Sequence, residues 1–146
     1  SSSWAADLFR LPLVDVTRGE EAQGFSCPGS VVRCIPEAPG TVTTAGLPAS
    51  VPVFFSSSSA WKRLEGEAAR EAHLDPDAAL TVHARYAPRR ALLSGWAAAP
   101  ERIEGQIAWL SARHGEGSVH LMGFRPQYRS WSQGAFHLLV RAIFLP

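Results

Sequence analysis

Arg125, Gln127 and Arg129 stand close together in the run Gly123-Phe124-Arg125-Pro126-Gln127-Tyr128-Arg129. Two guanidinium forks and a carboxamide at that spacing can hold a carboxylate or a phosphate, because a guanidinium offers a planar set of N–H donors and keeps its charge at neutral pH. A helix beginning just after the run would add the positive end of its dipole. The plainer alternative is a scaffold role, with Arg125 pairing a local carboxylate or backbone carbonyls. His120 and His137 could converge on a metal, but two histidines without an acidic third ligand fit ordinary residues at the core edge better. Two cysteines, Cys27 and Cys34, cannot complete a zinc site alone. No metal and no cofactor is therefore expected. Among nucleophiles, Ser94 in Leu-Ser-Gly-Trp is no strained elbow between a strand and a helix, so closing a strand is its simpler role.

The stretch from Gly115 to Leu145 has to position the arginines. Gly105 to Ala112 reads as a strand, and a turn over Arg113 to Gly117 joins it to Ser118 to Phe124 as a hairpin. Ser130 with Gln133 makes a capping box, and Phe136, Leu139, Val140 and Ile143 then recur at helical spacing. A strand feeding a helix through a polar loop is where α/β domains usually hold ligands.

Upstream, Trp4, Leu8 and Leu11 suggest a short helix stopped by Pro12, followed by a brief strand over Leu13 to Val16. Thr17 to Ser26 reads as polar loop, and Ser30 to Ile35 as a strand ending in the breakers Pro36 to Gly40. Val51 to Phe55 is a β-branched and aromatic strand, Ser56 to Ser59 a loop, and Trp61 to Ala72 a surface helix. Ala79 to Tyr86 alternates, with Thr81, His83 and Arg85 on its outer face. Ala91 to Ser94 is a short strand closed by Gly95 and Trp96, and a helical turn starts at Pro100. Trp96, Trp109, Trp131 and Phe136 are read as core aromatics. Because Gly29 to Ile35 is extended, Cys27 and Cys34 are expected to be free thiols.

Together these elements predict an α/β chain, or α+β if taken as a fragment: a mixed β-sheet with a carboxyl-terminal β-hairpin and a final packed helix. A length of 146 residues suits one domain, 1–146, burying roughly 68–70% of its unfolded surface. The net charge of +1 with scattered arginines argues against nucleic acid and anionic membranes as partners. No apolar run approaches the ~18 residues that span a bilayer, and the amino end lacks a signal-peptide pattern, so a soluble chain is expected. Beginning at Ser1 suggests a processed or excised fragment.

The carboxyl half resembles the closing section of a class I glutamine amidotransferase-like domain, in the version found at the carboxyl end of bacterial zinc-carboxypeptidase-like (M14) proteins. The resemblance is carried by Pro28 to Arg33, by Gly46-Leu47-Pro48 with Val51 to Phe55, and by Leu92 to Trp96. Its most specific part is Gly115 to Arg129 with the helix Gly134 to Leu139. It implies a flavodoxin-like, amidotransferase-like remnant whose first strands precede Ser1. Active members read histidine-proline-glutamate after the last strand, the histidine serving a cysteine nucleophile as base. Here Arg125, Pro126 and Gln127 occupy those positions. A guanidinium stays protonated and a carboxamide carries no charge, and neither Cys27 nor Cys34 sits in a Gly-x-Cys-x-Gly elbow.

The resemblance thus implies a domain without its catalytic triad. Peptidase chemistry would lie elsewhere in the parent protein, since no His-x-x-Glu pair surrounds His73, His83, His114, His120 or His137. Two functions remain open at this point. One is a non-catalytic accessory or binding domain, partnered by the rest of the parent or a second copy, with a small anionic ligand and an extracellular or periplasmic location. The other is a hydrolase or amidotransferase-like enzyme using a rearranged Cys27 or Ser94 nucleophile.

Overall fold

The computed structural model describes residues 2–37, 42–129 and 132–144. Its strands are β1 (Leu13–Asp15), β2 (Ser26–Pro36), β3 (Val51–Phe55), β4 (Trp61–Arg63), β5 (Leu80–Tyr86), β6 (Leu92–Ala98), β7 (Ile107–His114) and β8 (Gly117–Met122). Its α-helices are α1 (Ser2–Leu8), α2 (Gly66–Glu71) and α3 (Gln133–Phe144), with 3-10 turns at Gly19–Ala22 and Pro100–Arg102. The chain is a mixed α/β unit: one sheet of eight strands and a carboxyl-terminal helix laid on it.

The sheet runs β1-β4-β7-β5-β2-β3, with β6 also beside β2 and β8 also beside β7. Every pair among the described residues is antiparallel, so the mixed pairing expected from the sequence is corrected. The reason is local. β7 and β8 join through the two-residue turn Gly115-Glu116, with Gly115 at φ 58°, and so tight a turn reverses the chain.

Two long strands are interrupted without losing their direction. β5 and β6 follow one another along β2, pairing Cys34 with Tyr86 and Val32 with Leu92. Across the break, Ala87 N–H donates to Arg33 O (2.9 Å) and Arg33 N–H to Ala91 O (2.7 Å). In the same way β8 and β4 lie end to end along β7, which pairs Trp109 with Met122 and Ile107 with Trp61. Beyond β8, Arg125 N–H donates to Phe54 O (3.0 Å), so a single bridge draws the strap after β8 onto the outer edge of β3.

The core contains Val32, Cys34, Val53, Phe55, Tyr86 and Trp109, each at most 1% exposed. Removing such side chains from water stabilises the fold by about 1.5–3 kcal/mol apiece for the aliphatic and phenyl groups. A second cluster, with Leu11, Leu13, Trp61, Ile107, Leu110 and Leu121, lies with Ala6 of α1.

Several expected boundaries are corrected. The helix expected over Trp61 to Ala72 is instead β4 plus α2, because Trp61 is buried opposite Ile107 and Gly66 takes φ 52°. β2 starts at Ser26, carrying Pro28 and Gly29 inside it, where a register shift between Ser26 and Gly29 absorbs the proline. β6 continues past Gly95 to Ala98, since Gly95 at φ 96° lies against Ser30 with no room for a side chain. α1 ends at Leu8, with Arg10 left-handed at φ 50°.

The stripe expected on the last helix is misphased. Ala135 and Leu138 are the buried residues of α3, whereas Val140 and Ile143 are 51% and 62% exposed. Small residues let the helix approach β3: a Cβ on Gly134 would stand 3.2 Å from Val51 Cγ1. Trp109 is buried as expected, but Trp96 is 60% exposed on β6 and Phe136 is half-buried. Ser130 of the capping box, Trp131, Leu145 and Ala38 to Gly40 of the breaker cluster lie outside the described residues. Cys27 and Cys34 are free and buried, as the extended strand requires. No helix is long and apolar enough to cross a membrane.

Gly123 is where this architecture is least tolerant. A Cβ there would overlap the carbonyl oxygen of Ser59 and come within 3.0 Å of Tyr86 Oη. Replacing Gly123 with Ala should cost about 3 kcal/mol in urea unfolding, because backbone must move to admit the methyl group. Gly117→Ala meets only an ordinary 3.9 Å contact and should cost no more than about 1 kcal/mol, making it the control. Equal losses in the two variants would contradict this account.

Candidate functional site

β8 alternates across the sheet. Leu121 and Val119 pack into the cluster with Ala6 and Trp61, so His120, Met122 and then Phe124 turn to the opposite face. Together with the strap after β8 and with α3 they enclose a cleft of about 600 Å³. Ser2 closes one side, its Oγ–H donating to Met122 O (2.7 Å).

Arg125, Gln127 and Arg129 all line this cleft. Arg125 is fixed at two points: its backbone bridges to Phe54, and its Nε–H donates to Ser56 O (2.8 Å). Its guanidinium carbon lies 5.8 Å from the Tyr128 ring centre, and that of Arg129 lies 5.5 Å away. Tyr128 in turn stacks on Phe54, with centres 4.3 Å apart and planes at 11°. Arg129 takes φ 46°, a left-handed turn that carries the strap toward α3. Two cations grouped around one π system are held by its quadrupole, at about 0.5–1 kcal/mol each where exposed. Among the described residues, neither arginine forms an ion pair with a carboxylate. The helix contributes Leu139, Ala142 and Ile143 from its middle and last turns, so its amino end does not line the cleft.

Beneath the rim lies a group the sequence did not bring together. His83, placed on the outer face of β5 by alternation, is buried at 5% exposure, which corrects that expectation. The cause is a register shift: Val82 pairs with Leu110 and Ala84 with Trp109, leaving His83 as the extra residue of a bulge. His83 Nε2 meets Ser111 Oγ at 2.8 Å, and its ring lies 4.6 Å from Trp109 and 5.4 Å from His120. Trp109 donates its indole N–H to His120 Nδ1 at 3.2 Å. An accepting Nδ1 places the proton of neutral His120 on Nε2.

Both imidazoles are held neutral. Burial, with His120 alongside, pulls His83 down to about 4, and burial lowers His120 as well. His83 Nδ1 and His120 Nε2 are buried without a partner among the described residues. Neither the bulge nor the indole contact leaves a signature in residue spacing. The two histidines lie on strands that flank β7 on opposite sides, a placement that only the strand order reveals.

The remaining candidates lie apart from the cleft. Cys27 is buried beside Phe25 and Phe55, its thiol 3.9 Å from Phe55 O, and burial raises its pKa against the opposing contact with Ser30. Ser94 is exposed on β6, and His137 is exposed on α3. Among the described residues neither Cys27 nor Ser94 bonds to a histidine. No group of three His, Cys, Asp or Glu side chains that could hold a metal gathers among the described residues.

A depressed histidine pKa makes folding pH-dependent. The unfolded chain binds a proton near 6.5 that the folded chain refuses until about 4, so the contribution of His83 is fully present above pH 6.5 and is lost as pH falls toward 4. Urea unfolding should show stability dropping by up to roughly 2 kcal/mol between pH 7 and 5. His83→Phe, which keeps the ring against Trp109, should flatten that part of the profile, and an unchanged slope would count against the assignment. No family model, curated protein or solved structure matches this chain.

Proposed function

We propose that this chain is a non-catalytic binding module that holds an anionic group in the cleft between the strap after β8 and helix α3. The observation that carries the reading is the pair Arg125 and Arg129, gathered around Tyr128 at the rim of a cavity of about 600 Å³ without a carboxylate partner among the described residues. That volume lies in the range of small-ligand sites. Arg125 has engaged its Nε with Ser56, which fixes its direction and leaves the two terminal amino groups for a ligand. The scaffold role and the binding role are therefore shared by one side chain.

Catalysis finds little support in the same residues. A guanidinium takes no proton at neutral pH, Gln127 cannot steady an imidazolium, and a thiol raised by burial is a poor source of thiolate. Among the described residues, no histidine is hydrogen-bonded to Cys27 or Ser94 to serve as its base.

The residue pattern supports reading the module as a class I glutamine amidotransferase-like domain without its triad, belonging to a bacterial zinc-carboxypeptidase-like protein. The antiparallel sheet lends no support to the flavodoxin-like part of that reading. On this view the peptidase chemistry resides in another part of the parent, and the module works against that part or against a second copy.

Calorimetric titration with acetate, sulfate and inorganic phosphate tests the anion site. Arg125→Gln and Arg129→Gln should each weaken binding by about tenfold or more, as expected for loss of a charge-assisted hydrogen bond. Unaltered affinity in both variants would remove the basis of the proposal, and glutamine hydrolysis by the purified chain at enzymatic rates would replace it with catalysis.

A further inference from the structure

The cleft has two chemically distinct parts, and the rim arginines account for one alone. Its inner wall is Met122, Leu139, Ala142 and Ile143, an apolar surface that a bare inorganic ion would leave unused. Ile143 is 62% exposed although the helix has other residues, Ala135 and Leu138, to anchor it to β3. At the base stands His120, and its environment selects one donor. Trp109 occupies Nδ1, so the ring proton is on Nε2, and that buried N–H has no acceptor among the described residues. Leaving such a donor unmade costs about 1–3 kcal/mol, which an oxygen in the cleft would offset once a turn of the imidazole brought Nε2, sealed from solvent in this structure, to the cleft surface.

We infer that the cleft takes an organic acid of the carboxylate class: an apolar body against Met122, Leu139 and Ala142, an anionic end at Arg125 and Arg129, and an acceptor oxygen received by His120 Nε2–H. This rests on the anion-binding role proposed above and adds the body of the ligand and a third anchor. A carboxylate suits the rim because a planar fork meets a planar acceptor through two parallel hydrogen bonds. His83 and Trp109 act as positioning residues. Trp109 fixes the tautomer of His120, and the His83 ring, 5.4 Å away at 22°, packs behind it. Ser111 engages His83 through Nε2.

Calorimetry with three probes separates the parts: 3-phenylpropanoate, inorganic phosphate and the neutral 3-phenylpropanamide. The acid should bind at least tenfold more tightly than phosphate and at least tenfold more tightly than the amide. His120→Phe should weaken the acid by about tenfold while changing phosphate little. The His120 Nε2–H resonance of the unaltered protein should also move downfield on adding the acid, a readout independent of whether the variant folds. Equal affinity for the acid and phosphate, both lost in Arg125→Gln, would overturn this inference and leave the anion site standing. An amide bound as tightly as the acid, or no binding by any probe, would overturn both. A His120 resonance unmoved by a bound acid would eliminate the third anchor and the inference with it.

Discussion

The molecule is held together where three chain segments meet at Ser59. Tyr86 Oη–H donates to Ser59 O (2.9 Å), Ser59 N–H donates to Gly123 O (2.7 Å), and Gly123 N–H donates to Ala108 O (2.8 Å). This short chain of hydrogen bonds ties β5, the serine loop after β3, the end of β8 and β7 together. Tyr86 is fully buried, and its hydroxyl would be costly there without the Ser59 carbonyl. The three segments can meet only because position 123 has no side chain. From this point the strap leaves for Phe54, and the direction of Arg125 is decided two residues later.

The candidate site inherits its character from that junction. Its base is buried sheet, where desolvation keeps imidazoles uncharged, and its rim is solvent-facing strap, where guanidinium charge is inexpensive to maintain. A neutral, directional donor below and a diffuse positive field above are complementary devices. The first rewards correct geometry over a short range, and the second attracts from a distance within the screening length of about 8–10 Å. Asp15 plays a comparable organising role beside the same junction. Its Oδ1 accepts hydrogen bonds from Thr17 N–H, Thr17 Oγ1–H and Ala60 N–H, which keeps the serine loop in place.

Much of the strand layout was legible in the sequence because it depends on near neighbours. Val51 to Phe55, Leu80 to Tyr86 and the hairpin closed by Gly115 follow from β-branched alternation and turn chemistry. The rim residues 125, 127 and 129 were readable for the same reason, as they lie on one short strap. What escaped is what distant contacts decide. Gly95 looks like a strand terminator until Ser30 is opposite it, and Trp61 looks like the start of a helix until Ile107 buries it. The histidine pair depends on one extra residue in β5, and a bulge turns an outward side chain inward without altering composition. The phase of α3 is similar. Both its faces carry apolar residues, and only the approach of β3 determines that Ala135 and Leu138 go inside.

Cys34 sits at the centre of β2 with no exposure, opposite Tyr86 on one neighbour and Val51 on the other, and burial pushes its thiol up to about 12. Such a sulfur is silent toward alkylating reagents while the ladder on either side is closed. It can react only in molecules whose central strand has transiently separated, so its modification rate is a clock for opening of the sheet. The chain thereby carries an intrinsic reporter on its own breathing motions, set at the strand through which β3, β5 and β6 are joined.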